Sequence, residues 1–114
     1  MLLLAAKFNV PVCPHAGGVG LCEMVQHVSI FDYVSVSADL TDRVTEFVDH
    51  LHEHFTDPCI VAEQQPGAGT GYVLPKLPGY STQIYPQTVA DYQFPDGDYW
   101  AHQHQSARAA VTEA

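Results

Sequence analysis

The chain has 114 residues, 46% of them hydrophobic, which fits one small domain or part of one. Its 4 lysines and arginines face 13 aspartates and glutamates, a formal net charge of -9 that excludes a non-specific nucleic-acid binder and docking on an anionic membrane. No apolar run approaches the roughly 20 residues that span a bilayer, and the odd count of 3 cysteines favours a reducing cytoplasm over a disulfide scaffold.

Residues 1–8 are apolar helix formers with no N-cap, and they read as the end of a helix. The run is too short for a signal core and has no basic segment before it. Residues 9–14 (Asn-Val-Pro-Val-Cys-Pro) are β-biased, with Pro11 and Pro14 at the ends of the strand they predict. His15-Ala16-Gly17-Gly18-Val19-Gly20 is a flexible turn. From Leu21 to about Ser37 the pattern predicts a helix: Leu21, Val25 and Val28 share a stripe that Cys22, Ile30 and Phe31 widen.

After a polar turn at 39–42, residues 43–50 predict a second strand, with a helix over 43–55 as the alternative. Alternation puts Val44, Glu46, Val48 and His50 on one face of that strand. From Thr56 prolines and glycines punctuate the chain. A short strand is expected near 59–62, a loop over 64–71, extended or mixed structure over 80–89, and a turn at Phe94-Pro95-Asp96-Gly97-Asp98. Residues 101–114 read as a fraying helix. The organisation is thus a βαβ segment over 1–55, a loop-rich segment over 56–100 and a tail. The fold class is α/β. A right-handed crossover would make the two strands parallel and bring their C-terminal ends to one rim, where α/β proteins build their chemistry.

Two side chains meet at that rim. His15 follows the first strand, and an imidazole exchanges protons near neutral pH; the bland reading is a loop histidine bonded to its neighbours. Glu46 sits among Val44, Phe47 and Val48, where desolvation would raise its pKa and suit it to hydrogen-bond donation; the alternative is a solvent-facing carboxylate. Gly17 and Gly18, ahead of a helix N-terminus, could cradle a substrate carboxylate or simply make a tight connection.

His50, His52 and His54 would share a face of a strand and could hold zinc, and His102 and His104 repeat the alternation. No Cys-x-x-Cys or His-Glu-x-x-His motif supports a metal site, so surface histidines are the default; Cys13, His15 and Cys22 make a weaker set. Tyr80, Tyr85, Tyr92, Phe94, Tyr99 and Trp100 read as packing anchors.

The run Val10-Pro11-Val12-Cys13-Pro14-His15-Ala16-Gly17-Gly18-Val19-Gly20-Leu21-Cys22-Glu23 closely resembles the segment around the seventh barrel strand of the L-fuconate dehydratases, in the mandelate racemase-like branch of the enolase superfamily. Phe31-Asp32-Tyr33, the stretch from Glu46 through His50-Leu51-His52-Glu53-His54 to Phe55, Pro78-Gly79-Tyr80-Ser81-Thr82 and Tyr92-Gln93-Phe94-Pro95-Asp96-Gly97 continue the match in order. It covers about residues 2–100, with a divergent loop at 62–76.

The resemblance implies the C-terminal part of a modified (β/α)7β TIM-like barrel. It implies Mg2+-dependent enolisation of a sugar acid and syn loss of water, giving a 2-keto-3-deoxy acid. By motif match His15 is the seventh-strand histidine that moves protons, and Glu46 is the eighth-strand carboxylate that hydrogen-bonds substrate or enolate oxygen. The magnesium ligands, the earlier strands with the second-strand lysine, the aspartate that partners the histidine and the capping domain lie outside the chain, so it would need those parts as partners and would be inactive alone. Rival readings are a non-catalytic fragment and a small His-rich metal-binding or interaction module.

Overall fold

In a computed structural model, residues 1–63, 66, 67 and 69–103 are described. The order of elements is helix α1 (Leu2–Lys7), helix α2 (Leu21–Phe31), a π-helical turn (Asp32–Ser37), a 3-10 turn (His52–His54), strands β1 (Val61–Glu63) and β2 (Thr70–Tyr72), and helix α3 (Pro86–Tyr92). The chain divides into two compact units, Met1–Gln83 and the part from Ile84 onward. The change of composition at Thr56 falls inside the first.

In the first unit, α1 forms where a helix end was expected, with Lys7 in its last turn, where a cation complements the carbonyl dipoles. Helix α2 starts at Gly20, whose φ of +73° is left-handed. A Cβ there would also lie 2.9 Å from the Phe55 ring, so glycine is required twice over. The buried face of α2 is Cys22, Glu23, Val25 and Gln26. A 3.6-residue period puts the first, fourth and fifth positions of such a run on one side; Glu23 is buried because it has a polar partner. The predicted helix end near Ser37 is reached through the π-turn, which closes with Ala38 left-handed and the Ser37 hydroxyl on Asp32.

The expected parallel pair is not formed. Residues 9–14 and 43–50 join no ladder, and the sheet among the described residues is the antiparallel hairpin β1–β2, with Val61 opposite Tyr72 and Glu63 opposite Thr70. Parallel pairs are stable mainly inside larger sheets covered on both faces. Here the two segments are linked through α2 instead. The Cys22 Sγ lies 3.7 Å from the Ala16 carbonyl and 3.6 Å from that of Val48, and the Val48 N–H reaches the sulfur at 3.3 Å. The helical alternative over 43–55 is not adopted either.

The core comprises Ala16, Cys22, Val25 and Cys59, with Val48 and Tyr72 packed against it. It is small for the apolar content. Leu3, Leu4, Phe8, Val34, Leu40 and Val44 are each more than 60% exposed.

In the second unit, α3 begins with Pro86 at its first turn, where the missing N–H costs nothing. Residues 98–103 are helical, and the rest of the predicted tail, with His104, lies outside the described residues. Trp100 donates from Nε1 to the Tyr92 carbonyl at 2.9 Å and packs edge-on against Phe94 and Tyr99, so these aromatics do anchor their segment. Tyr80 instead meets His27 edge-on in the first unit. No helix among the described residues is long and apolar enough to cross a membrane.

Candidate active site

His15 and Glu46 come together although neither of their segments is a ladder strand. The imidazole Nδ1 lies 3.0 Å from Glu46 Oε2, and the Ala16 N–H donates to the same oxygen. Two features position the pair. Gly17 leaves room for its ring, because a Cβ there would lie 2.5 Å from His15 Cε1. The Tyr72 hydroxyl donates to the Glu46 carbonyl at 2.6 Å, tying the backbone of Glu46 to β2. Burial first, then Cys22, pushes the Tyr72 pKa well up, which keeps that donor protonated.

The expected rise in the Glu46 pKa is reversed. The Ala16 N–H bond lowers it first, burial opposes this, and the charge of His15 lowers it further. The side chain is 39% exposed, so desolvation is too weak to win. Glu46 is therefore an anion that accepts hydrogen bonds. An imidazole that donates from Nδ1 to a carboxylate keeps Nε2 for a further partner, and the ring is 75% exposed.

Gly17 and Gly18 both precede α2 as expected. The Gly18 N–H donates to the Ala16 carbonyl at 2.9 Å, so that donor is engaged within the turn. Magnesium prefers an octahedral set of hard oxygen ligands. The His15–Glu46 site brings one carboxylate, so these residues do not by themselves hold that ion.

The histidine alternation is broken. Leu51 is left-handed at φ +62°, and residues 52–54 make a 3-10 turn rather than a strand. His50 lies 3.4 Å from the Val48 carbonyl, His54 lies 3.7 Å from Glu53, and His52 turns inward. There its Nδ1 is 2.7 Å from Oε1 of buried Glu23 and its Nε2 is 2.9 Å from the Val48 carbonyl. The ring stacks on Phe47 at 5.3 Å. Burial works to lower the His52 pKa, and the Glu23 hydrogen bond and charge outweigh it, so the net shift is upward. Cys13 is exposed and Cys22 buried. The ligand-bearing cluster that forms among the described residues is Cys22, His52 and Cys59. Sequence reasoning missed it because its members lie on α2, in the 3-10 turn and before β1, with no short spacing to connect them.

No protein-family profile matches the chain. Over 100 residues it is 58% identical to mitochondrial enolase superfamily member 1 of Xenopus laevis and 56% identical to that of Homo sapiens, each match covering 88% of this chain and 21% of the relative. Over 95 residues it is 45% identical to L-galactonate dehydratase of Hypocrea jecorina, covering 83% and 19%. The crystal structure of human mitochondrial enolase superfamily member 1 superposes with a TM-score of 0.79 at 56% identity, over 90% of this chain and 22% of that one. The chain spans about one fifth of the length of these homologues.

Proposed function

We propose that the chain is the C-terminal barrel segment of an enolase-superfamily sugar-acid dehydratase, with His15 as its proton-transfer residue and Glu46 as the carboxylate that orients it. The observation that carries this reading is the contact between His15 and Glu46 across 31 residues of sequence, within a chain whose homologues include an L-galactonate dehydratase. A sugar acid of the L-galactonate or L-fuconate type is the substrate class.

The chemistry follows from the pair. Loss of water from a 2,3-dihydroxy acid breaks the C2–H and C3–O bonds. The C2–H electrons form the C2=C3 bond, the C3 hydroxyl departs as water with a proton, and the enol tautomerises to the 2-keto-3-deoxy acid. His15 Nε2, fixed by Glu46 on its other nitrogen, can take or give a proton on one face, as syn elimination requires. Glu46 presents its carboxylate to the same mouth, so a direct bond to a substrate hydroxyl belongs to this reading, as does a place for the substrate carboxylate near Gly17 and Gly18. Magnesium, which the resemblance implies, would stabilise negative charge on the substrate, and its ligands belong to the part of the barrel outside this chain.

The exposed apolar residues of the first unit support the same reading, since neighbouring barrel elements would cover Leu3, Phe8, Leu40 and Val44. Free Cys13, Cys22 and Cys59 suit a reducing compartment such as the cytoplasm. The test is an assay of 2-keto-3-deoxy acid formation from L-galactonate or L-fuconate with magnesium. The chain alone should be inactive. Mixing it with a homologue lacking the matched segment should restore turnover. Turnover by the chain alone, or none from the mixture once it has assembled, would overturn the proposal.

A further inference from the structure

We propose that Cys22, His52 and Cys59 form a binding site for a thiophilic divalent cation, zinc in the first place, separate from the His15–Glu46 site. One ligand atom from each lies within 4.8 Å of the others. Both cysteines are buried free thiols, and the His52 side chain is 16% exposed.

The spacing suits zinc. Tetrahedral bonds of about 2.3 Å to sulfur and about 2.0 Å to nitrogen put those ligands about 3.5 Å apart. Cys59 Sγ and His52 Nδ1 are 3.5 Å apart. The donor set is soft, which favours zinc over magnesium or calcium.

Burial, and then Glu23 and Cys22, push the Cys59 thiol up to about 12, so its proton would leave only as the cation binds. The Val48 N–H points at Cys22 Sγ from 3.3 Å and would stabilise negative charge on it. Glu23 Oε1, buried on α2, bonds His52 Nδ1 at 2.7 Å and accepts from the Cys59 N–H at 3.4 Å. With Nδ1 as the ligand atom, the outer partner of the imidazole is the Val48 carbonyl, 2.9 Å from Nε2, and Glu23 Oε1 gives up its bond to Nδ1 and stays within reach of the ion. On binding, each thiol gives its proton to solvent and its sulfur lone pair to the metal. One ring nitrogen of His52 opens its present hydrogen bond and coordinates, and water takes the fourth position. The ion would then cross-link α2, the 3-10 turn and the approach to β1, three places joined at present by a small core.

The test titrates the reduced full chain with Co2+ alone and then with Zn2+ alone. One equivalent of cobalt should give thiolate-to-metal charge-transfer absorption and the intense visible bands of a tetrahedral site, and zinc should abolish both. Cys13→Ser should leave the spectrum intact. Cys22→Ser and Cys59→Ser should each weaken binding by about 100-fold or more, beyond what loss of an outer partner costs. Should those variants fail to fold, the unfolding midpoint of the wild-type chain still decides: zinc should raise it, and should raise that of Cys13→Ser equally. Absence of thiolate–cobalt absorption, or a midpoint that zinc leaves unmoved, would overturn the proposal.

Discussion

His15 Nδ1 lies 3.0 Å from Glu46 Oε2, and the next backbone N–H after His15 bonds the same oxygen. Two donors from adjacent residues therefore fix one carboxylate, and the carboxylate fixes the imidazole. Glu46→Gln removes the anion while keeping the shape. In an assembled barrel that change should lower kcat by about 10²–10⁴-fold, the range that a positioned acid–base group contributes. Steady-state rates set beside the unfolding midpoint check it: kcat should fall while the midpoint moves little.

The acid limb of this contact has a definite sign. Glu46 is held below its ordinary 4.5, first by the Ala16 N–H bond and then by His15, against burial. A depressed carboxylate contributes stability above its unfolded pKa and loses it as pH falls through the folded one. The tie between 15–16 and 46 should therefore persist through pH 4.5 and release below it. A carbon-13 titration of the Glu46 carboxyl should give a midpoint under that ordinary value; one at or above it would contradict the assignment.

Gly17 sets the attitude of the His15 ring. Alanine there would put its Cβ 2.5 Å from His15 Cε1, and the exposed ring is free to swing aside. Gly17→Ala should thus change stability by about 0.5 kcal/mol or less while breaking the His15–Glu46 bond. Nitrogen-15 spectra of the imidazole read this directly: the Nδ1–H signal of the bonded tautomer should be lost.

Glu23 is the costliest polar residue to disturb. It is 1% exposed and paired with His52 at 2.7 Å. Removing one partner of a buried pair typically costs about 3–5 kcal/mol, so Glu23→Ala should unfold much of the first unit. Glu53, 70% exposed beside His54, should tolerate alanine within about 0.5 kcal/mol. Paired denaturant melts of the two variants measure the difference.

Much of the site was legible in the sequence, and less of the fold. The apolar spacing from Leu21 located α2, and the proline and glycine punctuation located the turn that carries His15. The convergence of His15 and Glu46 was expected from a parallel strand pair that does not form; the Ala16 N–H and the Tyr72 hydroxyl hold Glu46 in place instead. The strands at 9–14 and 43–50 were legible only as extended propensity, because a ladder depends on a neighbour that propensity does not supply. The His50–His54 alternation misled because Leu51 turns left-handed and swings His52 inward to Glu23. A buried glutamate seeking a partner is a tertiary fact, and no local pattern announces it.

The central claim is that His15 moves the proton of a sugar-acid dehydration. Its most direct measurement is a chimera in which residues 2–100 replace the matched segment of human mitochondrial enolase superfamily member 1, assayed with and without His15→Asn for sugar-acid dehydration and for deuterium exchange at C2. The account predicts that the chimera with His15 turns over, and that the asparagine variant folds, binds substrate and loses both dehydration and exchange. Undiminished turnover in the asparagine variant would contradict it.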